Sequence, residues 1–137
     1  HEFLSIGRTD AVASEGFDKA ITGGEAMVDS GADVVVIEAP ETKEEIELIP
    51  SLFDVTVHIN MFPGGKTPYT KPADLEAFGY RYMIVPSDLQ RACIRASEAV
   101  LSAIVNDGNS ESVANLLSPL ADRDRFVDQD AWLGEVK

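Results

Sequence analysis

Five polar residues fall where short apolar runs end, and their types are those that grip small charged ligands: Arg8, Asp10, Glu38, Asn60 and Arg91. Glu38 follows the four consecutive apolar residues 34–37, so its carboxylate is expected to be desolvated and to need a cation or a donor. Arg8 is the partner it calls for. Arg8 and Asp10 together read equally as a local ion pair that stabilises a loop or as a ligand contact. Asn60 suits a cap for the following loop or a ligand contact, and Arg91, in the first turns of a helix, suits solvent or a ligand. Their placement favours a site. They follow separate strand candidates, and the C-terminal ends of strands are where parallel α/β folds bind ligands.

Three other features read as decoys. Residues 60–67, Asn-Met-Phe-Pro-Gly-Gly-Lys-Thr, approach the phosphate-cradling P-loop, but Asn60 stands where the first Gly is required and Pro68 blocks an immediate helix. Cys93 lies on the apolar side of a helix, where a small buried core residue is expected rather than a nucleophile. His58 alternates with Val57 and Ile59 and has no His, Cys or carboxylate at ligand spacing, so it reads as a satisfied interior residue.

The elements that must hold the polar residues alternate between strand and helix four times, the pattern of a parallel sheet. Strands are predicted at residues 3–6, 34–37, 55–59 and 82–85, each short and aliphatic as befits strands buried on both faces. A first helix is predicted from about 16 to 31, with Ala20, Ile21, Met27 and Val28 inward and a weak middle at Gly23 and Gly24. Thr42 and Glu45 have capping-box spacing at the start of the second, which Pro50 ends or kinks. Pro72 opens the third helix and Gly79 closes it. The fourth begins near the capping-box run 87–90 and carries an apolar stripe of Leu89, Ala92, Cys93, Ala96, Val100, Ala103 and Ile104, with Gly108 as its C-terminal cap. A mixed tail from 112 onward, with Leu116, Leu117, Leu120, Phe126 and Trp132, needs a surface to pack on. The chain therefore divides into strand-helix units over 1–107 and a helical tail over 108–137.

An eight-stranded (β/α) barrel takes ~250 residues, so 137 residues match half of one plus a tail; an open four-stranded sheet is the alternative. The composition, 45% hydrophobic and 26% charged, is that of an ordinary folded domain. A formal charge of −13 opposes binding to nucleic acid or anionic lipid. One cysteine allows no internal disulfide, and no apolar run reaches the ~20 residues of a membrane span, so a soluble, cytoplasmic protein is expected. The sequence opens on His1-Glu2-Phe3-Leu4 without an initiator Met, which leaves targeting unread.

The motifs Gly7-Arg8-Thr9-Asp10-Ala11, Gly31-Ala32-Asp33 leading to Ile37-Glu38-Ala39-Pro40, Asn60-Met61 with Gly64-Gly65-Lys66-Thr67-Pro68, and Gly79-Tyr80-Arg81 occur in that order. This resembles the isocitrate lyase and phosphoenolpyruvate mutase superfamily, in particular its methylisocitrate lyase and dimethylmalate lyase branch, over residues 3–106. The resemblance implies the C-terminal half of a (β/α)8 barrel and a Mg²⁺-dependent carbon-carbon lyase that cleaves a 2-hydroxy di- or tricarboxylic acid through an enolate. It makes Arg8 and Glu38 catalytic. Arg8 would bind a substrate carboxylate and neutralise the enolate charge, Glu38 would hydrogen-bond the substrate or a metal-bound water, and Asn60 and Arg91 would hold the distal carboxylate. A preorganised Arg suits such an oxyanion because it supplies both charge and orientation.

In that family the Mg²⁺ ligands and the loop with the catalytic Cys precede the Arg-Thr-Asp strand, and this sequence begins after them. No metal ligand is therefore expected within it, and the chain alone is expected to be inactive. Gly7 and the Gly23-Gly24 pair depart from the family pattern in a way expected to weaken packing. The family's exchange of its last barrel helix between subunits implies a homo-oligomer. Oxaloacetate decarboxylation or hydrolysis, phosphonate chemistry of the same superfamily, and a non-catalytic half-barrel that pairs to close are the alternatives.

Overall fold

The protein is described by a computed structural model over residues 3–134, so His1 and Glu2, on which the sequence opens, lie outside the described residues. Four strands, β1 (Ile6–Thr9), β2 (Val34–Ile37), β3 (Thr56–Asn60) and β4 (Tyr82–Ile84), pair in parallel in the order β1-β2-β3-β4. Between them run α1 (Val12–Glu15), α2 (Phe17–Asp29), α3 (Lys43–Leu48) continued by a 3-10 turn (Ile49–Leu52), and α4 (Pro72–Phe78). After β4 come α5 (Asp88–Asp107), a 3-10 segment (Glu111–Leu116), α6 (Leu120–Phe126) and α7 (Gln129–Gly134). Contacts divide the chain into two compact units, His1–Asp88 and Leu89–Lys137.

In the first unit the alternation of strand side chains sorts the sheet into two faces. Val35, Ile37, Val57 and Ile59 point to one face and pack in a core with Ala20, Ile46, Ile49, Leu75 and Tyr80 from the helices. The opposite face carries Arg8 beside Val36 and His58 beside Tyr82, as the register pairs them. On that second face Ile6, Tyr82 and Ile84 are exposed.

The local chemistry explains the helix boundaries. Thr42 accepts from the Glu45 backbone while the Glu45 carboxylate accepts from the Thr42 and Glu41 backbones, the expected capping box. Pro50 falls in the 3-10 turn that ends α3. Pro72 opens α4, and Gly79 closes it in the left-handed region at φ 109°. Tyr80 then turns its hydroxyl inward to donate to the Ile46 carbonyl at 3.0 Å, and burial pushes that hydroxyl's pKa up.

Several expectations are corrected. The first strand is Ile6–Thr9, not residues 3–6: Phe3 and Leu4 are exposed, and the polar Arg8 and Thr9 lie within the strand because one faces the site and the other is buried. The glycines expected to weaken packing permit it instead. A Cβ on Gly24 would lie 2.7 Å from Phe53 Cζ and 3.0 Å from Ile37 Cδ1, and one on Gly7 would lie 2.8 Å from Met27 Sδ, so both let α2 approach the sheet closely. In the second unit Cys93 is exposed, not a core residue. Of the stripe expected to be buried on α5, Ala103 is buried, whereas Leu89 is 85% exposed and Ile104 is also exposed. Among the described residues no helix is long and apolar enough to cross a membrane.

Candidate functional site

The polar residues of the first unit form one connected chain across the C-terminal ends of the first three strands. Arg8, in β1, donates to Asp10 in a bidentate manner, Nε to Oδ2 at 3.2 Å and Nη2 to Oδ1 at 2.8 Å. The same Nη2 lies 3.5 Å from Glu38 Oε2. Glu38 Oε2 accepts from Asn60 Nδ2 at 2.9 Å, and Asn60 Oδ1 lies 3.1 Å from His58 Nε2. His58 in turn stacks on Tyr82, with ring centroids 4.9 Å apart and planes 14° from parallel.

Each position has a local cause. The backbone N–H of Glu38 donates to the Thr9 carbonyl at 3.0 Å, which carries the β1–β2 pairing one residue past β2 and fixes Glu38 beside the end of β1. Ala39 then takes φ 58°, a left-handed value uncommon for a residue with a Cβ, and turns the chain away with Pro40 buried behind it. His58 and Asn60 are two apart in β3, so the pleat puts both on the site face. The Met61 N–H donates to the Ile84 carbonyl and holds the end of β3 against β4.

The electrostatics follow from the pairing. Hydrogen bonding to Asp10, then the charges of Glu38 and Asp10, raises the Arg8 pKa against the opposing effect of burial. Donation from Arg8 holds the Asp10 carboxyl below the usual carboxylate range. Arg8 spends Nε and Nη2 on these partners, while Nη1 makes no hydrogen bond among the described residues and still carries two donors.

Among the residues singled out from the sequence, the structure thus joins Arg8, Asp10, Glu38 and Asn60, and the expected partnership of Glu38 with Arg8 is present. Arg8 and Asp10 are an ion pair, and that pair is tied to Glu38 rather than closed on itself. Arg91 lies on the first turn of α5, in the second unit. His58 is buried at 7% exposure, as expected, but it is not fully satisfied: Nδ1 has no hydrogen-bond partner. Its contact with Asn60 was missed. The signal available was the two-residue spacing that places both on one face of a strand. The loop at residues 60–67 has no helix after it before Pro72, and its Lys66 lies 4.0 Å from Glu41, in keeping with its rejection as a P-loop.

No group of three or more His, Cys, Asp or Glu among the described residues could hold a metal ion. In the cluster itself both Asp10 oxygens and Glu38 Oε2 are already engaged by Arg8 or Asn60. A Mg²⁺ shell wants several free oxygens in octahedral array, and these residues do not supply them.

The family described as phosphoenolpyruvate phosphomutase matches residues 1–105. The chain belongs to this family. Among curated relatives, the 2,3-dimethylmalate lyase of Eubacterium barkeri is 34% identical over 116 residues, covering 85% of this chain and 40% of that one. The 2-methylisocitrate lyase of Aeropyrum pernix is 34% identical over 125 residues, covering 91% of this chain and 40% of that one. The chain therefore spans about 40% of the length of these relatives. Among solved structures, oxaloacetate acetylhydrolase in complex with 3,3-difluorooxalacetate superposes with a TM-score of 0.82 at 25% identity, over 96% of this chain and 44% of the other. A crystal structure of 2,3-dimethylmalate lyase, described as a PEP mutase/isocitrate lyase superfamily member, shares the fold at a TM-score of 0.80 and 22% identity. The four parallel strands and their helices are thus part of the (β/α) barrel of this superfamily, and relatives of this chain are named as lyases.

Proposed function

We propose that this chain forms the carboxylate-gripping side of a carbon-carbon lyase that acts on a 2-hydroxy di- or tricarboxylic acid by retro-aldol cleavage. The observation that carries the reading is Arg8: held in plane by Asp10 and flanked by Glu38, it keeps Nη1 for a ligand. The relatives named 2,3-dimethylmalate lyase and 2-methylisocitrate lyase support the substrate class. The Mg²⁺ implied by the sequence resemblance would supply positive charge for a bound acid.

In this reading the guanidinium of Arg8 binds a substrate carboxylate and stabilises the negative charge that develops as the carbon-carbon bond breaks. A donor pair fixed before the reaction needs no reorganisation as charge appears. Glu38 keeps Oε1 without a hydrogen-bond partner among the described residues, and that oxygen accepts from the substrate hydroxyl. Asn60 holds a second carboxylate. The same reading extends to a homo-oligomer through α5, whose Leu89, Leu101 and Val105 are exposed.

The test is a panel of 2-hydroxy acids, oxaloacetate and a phosphonate offered with Mg²⁺ to the natural polypeptide that carries this chain. Release of a 2-oxo acid from a 2-hydroxy acid, lost in Arg8→Ala, is the expected result. Turnover that survives Arg8→Ala overturns the role of Arg8, and turnover confined to oxaloacetate or the phosphonate overturns the lyase reading.

A further inference from the structure

We propose that His58 is a positioning residue for this site, whose Nε2–H locks the Asn60 amide in the orientation that leaves one Nδ2–H free for a substrate carboxylate. The inference rests on the reading above and adds a residue to it.

The orientation of an amide is settled by its neighbours. Glu38 Oε2, 2.9 Å away, can only accept from Asn60, so Nδ2 must face it. Oδ1 then faces His58 Nε2 at 3.1 Å, and since Oδ1 can only accept, Nε2 must carry the hydrogen. In the neutral ring Nδ1 is left as a bare acceptor, which is the atom found buried without a partner. Moving the proton to Nδ1 would set Nε2 and Oδ1 against each other as two acceptors and leave a buried donor unpaired as well. The stack on Tyr82 fixes the plane of the imidazole and so the direction of its N–H.

The amide of Asn60 has two donor hydrogens and two acceptor lone pairs. Glu38 takes one hydrogen and His58 one lone pair, and the second hydrogen remains. Glu38 alone would still allow the amide to swing about its single contact. With His58 it is pinned at both ends, and the free N–H has one direction.

A packing role for the ring predicts different behaviour, and two substitutions separate the readings. His58→Phe keeps a flat ring against Tyr82 and removes the N–H. His58→Gln removes the ring but places an amide N–H near the position of Nε2. Long-range ¹⁵N–¹H spectra of the wild-type chain should show the His58 proton on Nε2, a result that needs no variant. The Asn60 side-chain amide resonances should then keep their positions in His58→Gln and move in His58→Phe. A proton on Nδ1, or any other pattern of the amide resonances in the two variants, overturns the proposal.

In the natural polypeptide with Mg²⁺, oxalate as a dicarboxylate probe should bind roughly tenfold more weakly to His58→Phe, the effect of one hydrogen bond, and within about twofold of wild type to His58→Gln. Equal affinities in all three proteins overturn the positioning role. A wild-type protein that binds no oxalate overturns the site reading instead, while the amide spectra still decide whether His58 holds Asn60.

Discussion

Asn60 donates from Nδ2 to Oε2 of Glu38 at 2.9 Å and so ties the end of β3 to the residue that follows β2. The same carboxylate oxygen lies 3.5 Å from Arg8 Nη2, which makes Glu38 the joint of the cluster: a cation reaches it from β1 and an amide from β3. Its side chain is largely but not wholly withdrawn from water.

Removing that joint leaves the Asn60 amide without its acceptor and Arg8 without one of its two carboxylate neighbours. Glu38→Ala should therefore cost about 1–2 kcal/mol of stability, the range for hydrogen bonds to a partly exposed charged group. Glu38→Gln keeps an acceptor for Asn60 but leaves Asp10 as the charge beside Arg8, and should recover about half of the loss. Urea denaturation of the three proteins measures this, and two variants as stable as wild type would show that the cluster contributes nothing to folding.

The Arg8–Asp10 pair makes a pH prediction. Donation from Arg8 depresses the Asp10 pKa in the folded protein, so folding favours the ionised form. The resulting stability is full above the ordinary Asp range and is lost as pH falls through the depressed folded value. Both side chains are largely exposed, so the contribution is small and screened by salt. Carbon-detected titration of the Asp10 carboxyl should give a midpoint below the ordinary value of 3.8, returning to it in Arg8→Gln. An unshifted wild-type midpoint would remove the pair from solution.

The strand-helix order, the capping box at Thr42 and the Glu38–Arg8 partnership were legible in the sequence because each depends on neighbours in the chain or on one strong physical demand. A carboxylate directly after four buried residues has few ways to be satisfied. The start of β1 was misread because Phe3 and Leu4 have strand-like character, yet they are exposed, whereas Arg8 and Thr9 pair in the sheet. Propensity describes a residue, and register is set by the partner strand. Cys93 was misread for a related reason: helical spacing marks an apolar face but does not say what covers it. The His58–Asn60 contact depends on two residues two apart on one strand face, a relationship that neither side chain shows by itself.

The glycines of α2 give the last prediction, because adjacent positions should respond with opposite signs. Replacing a helical glycine by alanine gains about 1 kcal/mol from propensity alone. At Gly23 the added Cβ meets Thr9 Oγ1 at an ordinary 3.5 Å, so Gly23→Ala should stabilise the fold by about 0.5–1 kcal/mol. At Gly24 it would meet Phe53 at 2.7 Å and Ile37 at 3.0 Å, both part of the packing behind the sheet. Overpacking costs about 1–3 kcal/mol, which outweighs the propensity gain and leaves Gly24→Ala less stable than wild type by about 1 kcal/mol. Thermal denaturation of both variants should thus place their midpoints on opposite sides of the wild-type value. If Gly24→Ala melts as high as Gly23→Ala, α2 does not approach β2 as closely as described, and the packing that sets Glu38 at the end of that strand must differ as well.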